Sequence, residues 1–250
     1  MFTATLFYIL GVMFVTMTVR TWLGFGQALM ALPLLALRKD LDLHTAAAVV
    51  LLVSLAASTV NLAQDWRHLH LGGLGWMMVA AAAGVPLGYW GLTHFDERLI
   101  KGGLALLLIG FSVYSLLGRL PPELKHDYPL WVVGVGFLSG VLGGAYGVNG
   151  PPLVIYGAMR RWSPKKFRTT LQGYFLLMGF MVMVMWGAGG MWRPTVMWYC
   201  LCTLPVMLLA VWLGRKVSRY FEGPIFFKSV YIMLVLIGGD LLRKVIFFHK

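Results

Sequence analysis

Apolar stretches of about twenty residues follow one another along almost the whole chain, with polar gaps of about ten residues at most between them. They cover 4–22 with 26–37, 43–64, 71–93, 99–118, 129–148 with 150–159, 170–189, 192–213 and 225–242. Some 20 apolar residues in a helix cross the ~30 Å hydrocarbon core of a bilayer. The stretches are too many and too long for the core helices of a globular protein. Only 12% of the residues are charged, against roughly a quarter in soluble domains, and no gap has room for a soluble domain. The chain therefore reads as an all-α polytopic membrane protein.

Two of the stretches are broken by glycine, about half the chain apart. The first reads Gly24-Phe25-Gly26-Gln27-Ala28 and runs on to Pro33; the second reads Gly143-Gly144-Ala145-Tyr146-Gly147-Val148-Asn149-Gly150-Pro151-Pro152. A break inside the bilayer frees backbone groups that hydrocarbon cannot satisfy, so it belongs where protein or a water-filled cavity lines it. Paired breaks in the two halves of a chain point to a transporter's binding site. The halves align, with Gly24 to Pro33 over Gly147 to Tyr156 and Pro86 over Pro205. This predicts two membrane repeats, 1–118 and 129–250, joined by a linker at 119–128. Each repeat holds one interrupted helix and three ordinary spans, about eight transmembrane helices in all. If each interrupted segment crosses once, the repeats are parallel, which is the arrangement favoured here. If each forms a hairpin, the second repeat is inverted.

The formal charge of +12 does not imply nucleic acid, because the basic residues stand in short loops beside apolar stretches. Arg160, Arg161, Lys165, Lys166 and Arg168, with Arg215, Lys216 and Arg219, should face the cytoplasm by the positive-inside rule. There they would meet anionic lipid. Met1 to Val19 lacks a charged n-region and a small-residue cleavage site, so it is expected to stay as structure. Cys200 and Cys202 lie within an apolar stretch and suit neither a disulfide framework nor a metal site. No P-loop pattern and no metal-ligand spacing occurs, so no cofactor is expected.

Arg20 is the ionisable residue placed inside a stretch, four residues before Gly24. An intramembrane Arg is a functional candidate, paired or facing an aqueous cavity; otherwise it snorkels to the headgroups. Gly24, Gly26, Gly147 and Gly150 allow close approach of a ligand to the main chain. The helix resuming after each break offers N–H groups and a dipole to an anion. Gln27 and Asn149 would add side-chain donors or a cap, and Pro151 suits a first helical turn. Asn61, Arg168 and Gln172 complete the candidate substrate-binding set, although an amide in a span often makes only an interhelical bond. Gly84 to Gly88 is expected to be a packing or kink device.

The sequence resembles the TauE/SafE family of membrane transporters, known as sulfite exporters. The resemblance runs from about Gly11 to Arg243. It rests on Gly24-Phe25-Gly26 leading to Pro33, on Gly147-Val148-Asn149-Gly150-Pro151-Pro152, on Arg168-Thr169-Thr170-Leu171 and on the twofold repeat. It implies movement of sulfite, sulfoacetate or another small sulfur-containing or organic anion across the bacterial cytoplasmic membrane. The expected function is a secondary transporter or facilitator of a small anion, in the export direction, with no enzymatic activity. An interior-negative potential drives each negative charge outward with about 2.3 kcal/mol per 100 mV. Expected partners are the small anionic substrate and membrane lipid, with a homodimer possible. Cation transport, a non-transporting scaffold and an intramembrane enzyme are the alternatives. The missing mid-membrane carboxylates and the peripheral histidines weigh against the first and the last.

Overall fold

The computed structural model describes residues 2–247 apart from 39, 71, 95–96, 118–122, 147–148, 189–191 and 221–223. Among the described residues the regular structure is helical: α1 (Phe2–Leu23), α2 (Gln27–Leu35), α3 (Leu43–Asp65), α4 (Leu74–His94), α5 (Glu97–Leu116), α6 (Pro129–Tyr146), α7 (Gly150–Met159), α8 (Pro164–Ala188), α9 (Pro194–Tyr220) and α10 (Pro224–Phe247). Four of these are long and apolar enough to cross a membrane by themselves, at Ala4–Leu23, His44–His68, Pro164–Val184 and Pro194–Tyr220. Proline opens α6, α8, α9 and α10, where a missing N–H costs nothing and the fixed φ already suits the helix. Asp42 caps α3 by accepting from the Thr45 amide at 3.1 Å.

The glycine breaks form as the sequence predicts, but the chain does not run straight on through them. Gly24 and Gly26 have φ of +92° and +94°, a conformation that side chains rarely take, and the chain reverses there. The hydroxyl of Tyr8 near the start of α1 donates to the carbonyl of Leu34 at the end of α2, at 2.6 Å. Thr5 likewise meets Asp40 just beyond α2. Hence α2 lies back along α1. The second broken element does the same. Ser139 of α6 donates to the Asn149 carbonyl at the start of α7, whereas Tyr156 and Arg160 at the end of α7 reach Asp127 just ahead of α6, at 2.6 and 2.8 Å. Both interrupted segments are helical hairpins, and the expectation that each crosses once gives way to the hairpin alternative.

The helices gather into two compact units, Met1–His70 with Arg168–Phe221 and Leu71–Phe167 with Glu222–Lys250. Each unit draws helices from both halves of the sequence. In the first, α1 packs on α9, and Ile9, Met13, Met17, Ala31, Leu35, Val49, Val53 and Met207 share a buried core. In the second, α6 packs on α4 and α5 on α10. The order of a broken helix followed by three long ones occurs twice along the chain. In each unit the first helix of one half lies against the second of the three long helices of the other.

The α4–α6 contact is a glycine seam. A Cβ at Gly136, Gly140 or Gly144 of α6 would collide with the carbonyls of Met77, Ala81 and Val85, and one at Gly84 or Gly88 with the carbonyls of Phe137 and Val141. Small residues four apart let two backbones touch, the usual source of helix affinity in lipid. Gly84 to Gly88 is thus a packing device.

Candidate functional site

The reversal at Gly24–Gly26 in the first unit places the start of α2 beside the last turn of α1, and Arg20 sits on that turn. Its amide-to-carbonyl ladder ends there, with the Gly24 N–H bonded to the Arg20 carbonyl at 2.6 Å. The Arg20 side chain is buried, with a residue exposure of 4%, which rules out snorkelling to the headgroups. One guanidinium nitrogen donates to Gln27 Oε1 at 2.7 Å and to the Ser54 carbonyl at 3.2 Å. The other donates to Gln172 Oε1 at 3.0 Å and to Ser58 Oγ. The cation also lies 5.7 Å from the centre of the Phe175 ring, which suits a cation–π contact.

All of these described neighbours are neutral. No Asp or Glu is among the described buried residues, and Asp40, Asp65, Glu123, Asp127 and Asp240 pair with Arg38, Arg215, Arg161, Arg160 and Arg243. Removing a charge from water costs several kcal/mol unless it is paired or solvated by dipoles. Among the described residues, dipoles and the Phe175 ring provide that solvation.

The chemistry of the guanidinium fixes how the two amides point. It donates and never accepts, so the oxygens of Gln27 and Gln172 must face it and their NH₂ groups must point elsewhere. Ser54 Oγ and Ser58 Oγ donate to the same two oxygens, at 2.6 and 3.0 Å. Among the described residues Gln172 Nε2 reaches the Gly24 carbonyl, at 3.5 Å. Gln27 Nε2 is buried without a hydrogen-bond partner among the described residues. Gln27 is also the first residue of α2, whose N-cap, Gly26, has no side-chain oxygen to cover the N–H groups of the first turn. A buried cation, an orphaned amide donor and an uncapped helix start therefore meet at one point. The cluster has surplus donors and positive potential, a combination that attracts an anion.

The structure thus brings Arg20, Gly24, Gly26, Gln27 and Gln172 together. Arg168 stands beside them, its backbone against Gly24 and one guanidinium nitrogen 3.5 Å from the Trp22 carbonyl. Asn61 is buried on α3 but turns its amide to the Ala57 carbonyl of its own helix, at 2.9 Å. In the second unit Asn149 occupies the N-cap position of α7 without a side-chain capping bond, Gly150 and Pro151 lie buried in the first turn, and Gly143 packs on the Asn149 side chain. Gly147 lies outside the described residues. Ser54, Ser58 and Phe175 also line the cluster, outside the set predicted from the sequence. Ser54, Ser58 and Asn61 do carry a signal, spaced four and three apart on one face of an apolar helix.

The family model for sulfite exporter TauE/SafE matches residues 9–241. The chain belongs to the TauE/SafE family. It is 27% identical to the "Probable sulfite/organosulfonate exporter TauE" of Cupriavidus necator, over 91% of this chain and 90% of that one. It is 23% identical to the "Probable inner membrane transporter protein TsaS" of Comamonas testosteroni, over 77% of this chain and 81% of that one. No solved structure matches the chain. Family and relatives make this TauE/SafE chain a multi-pass membrane transporter.

Proposed function

We propose that this TauE/SafE protein exports a small anion, of the sulfur oxyanion or organosulfonate class, through a site built on Arg20 and the first glycine break. The observation that carries this reading is the buried Arg20 guanidinium, whose described neighbours are all neutral. An anion would supply the missing negative charge and accept from the Gln27 amide and the open N–H groups of α2. The fork geometry of a guanidinium suits an oxyanion with two or more oxygens. The names of the two relatives point to the same substrate class. A cation transporter would be poorly served by a buried positive charge. By the sequence match of the two breaks, Gly147, Asn149, Gly150 and Pro151 would offer an anion an equivalent set of contacts at the second break.

The hairpins also carry a topology. A segment that returns to the side it left contributes no net crossing, so each half makes three, and an odd number inverts the second repeat relative to the first. Three ion pairs agree. Asp127–Arg160, Glu123–Arg161 and Asp65–Arg215, at 2.8, 3.2 and 2.6 Å, each join loops that single crossings of the broken segments would put on opposite sides. The side holding these loops is the basic one, hence the cytoplasmic one.

Thermal unfolding of the purified protein in detergent, across sulfite, thiosulfate, sulfate, sulfonates, carboxylates and several cations at fixed ionic strength, tests the site. An anion at 100 times its Kd stabilises by about 2.7 kcal/mol. The expected result is a shift for one anion class that disappears in Gln27→Ala. A shift with cations only, or none with any salt, would sink the anion assignment.

A further inference from the structure

A cavity of about 510 Å³ opens between α3 and α9 in the first unit, lined on α3 by Val60 and Gln64, about half a turn and nearly two turns beyond Ser58. Its lining changes character along α9. Leu208 and Val211, with Val60 of α3, give an apolar wall. One turn later Arg215, Lys216 and Arg219 bring three cations into the same cavity. Trp212 stands at the change, and Lys216 Nζ lies 5.3 Å from the centre of its ring. Arg215 is held in place by Asp65 at 2.6 Å, so one of the three charges is balanced and the cavity keeps an excess of positive charge.

The surroundings of the cavity are those of a membrane boundary. Leu201, Leu208, Leu209 and Trp212 are more than half exposed and continue the apolar wall outward. Tryptophan favours the headgroup level, and Lys and Arg extend their charges past it into water. A free phosphate would use the cations and leave the apolar wall wet. An amphiphile with an acidic head and an acyl chain fills both. We propose that this cavity binds an anionic phospholipid of the cytoplasmic leaflet, its phosphate at Lys216 and Arg219 and its acyl chain along Val60, Leu208 and Val211. Basic recesses between helices on the cytoplasmic side are where such headgroups bind. Arg20 plays no part in this site.

The test is native mass spectrometry of the full chain after exchange into detergent with dioleoylphosphatidylglycerol or dioleoylphosphatidylcholine, with glycerol 3-phosphate and inorganic phosphate as soluble competitors. The expected result is at least fivefold greater retention of phosphatidylglycerol. Retention should fall to the phosphatidylcholine level in Lys216→Ala/Arg219→Ala and return in Lys216→Arg/Arg219→Lys. Lys165→Ala/Lys166→Ala, which removes the same charge from another basic loop, should leave it unchanged. Should the double alanine variant aggregate, Leu208→Glu, on an exposed position, should give the same loss by spoiling the acyl wall. Equal retention of both lipids, or equal loss in the two double variants, would overturn the proposal. Displacement of the lipid by glycerol 3-phosphate or phosphate would reassign the cavity to a soluble anion and overturn it as well.

Discussion

At the scale of single residues, the Arg20 cluster combines a structural cost with a chemical opportunity. Arg20→Ala removes the charge but leaves two amide oxygens, a serine hydroxyl and a main-chain carbonyl with fewer donors. Each buried polar group left unsatisfied costs about 1–3 kcal/mol. Arg20→Ala should therefore lower the unfolding temperature and reduce anion flux into proteoliposomes at least tenfold, while the protein stays extractable. Flux at the wild-type level would take Arg20 out of the site. Gly24→Ala acts through the backbone instead. With φ at +92° and an added Cβ 3.1 Å from Arg168 Cα, it should destabilise by about 1–3 kcal/mol in a thermal melt. Outside the membrane, the Arg38 side chain and then Thr5 hold Asp40 well down, to about 2. A carboxylate depressed in the folded state adds stability above its ordinary pKa of 3.8 and loses it as pH falls towards 2. Asp40→Asn should accordingly remove part of the acid sensitivity between pH 4 and 2, read as a flatter unfolding temperature against pH. The sequence marked Arg20, Gln27 and Gln172 because a polar group inside a long apolar run is costly enough to need a reason. A ring such as Phe175 carries no such mark in a span, and the small hydroxyls of Ser54 and Ser58 stand out only through their spacing with Asn61 on one face of α3.

At the scale of elements, the breaks were legible and the direction of the chain after them was not. Glycine at 24 and 26 announces a positive φ, but the reversal depends on Tyr8 meeting Leu34 and Thr5 meeting Asp40, pairs 26 and 35 residues apart. Single cysteines in a background lacking Cys200 and Cys202 separate the two topologies. Reagents that do not cross the membrane should label positions 68, 125 and 165 from one side and position 37 from the other. Labelling of 125 and 165 from opposite sides would restore single crossings of the broken segments. The glycine seam makes a second test. Gly140→Val pushes a branched side chain into the Ala81 carbonyl and should cost about 3 kcal/mol or more, or abolish folding. Gly134→Ala on the same helix, with nothing within 4 Å of the added carbon, should leave the melting temperature within a degree or two.

At the scale of the whole molecule, apolar length and low charge dictated a helical membrane protein, because a bilayer leaves few other ways to satisfy a backbone. The matched motifs marked where the helices break. What the motifs could not convey is the exchange: α1 closes on α9 and α4 on α6, so the compact units cut across the sequence halves. Nothing local selects a partner that far along the chain; the choice is made by surfaces such as the glycine seam, which exist only once helices are formed. The exchange has a consequence for the order of synthesis. When the ribosome has completed α3, the first unit still lacks α8 and α9, and α1 must wait in lipid until more than half the chain has followed. Contacts so distant in sequence slow folding and lengthen the exposure of half-built surfaces to wrong partners. A chain cut between α5 and α6 should therefore give two fragments that are each degraded when made alone and that recover each other when made together.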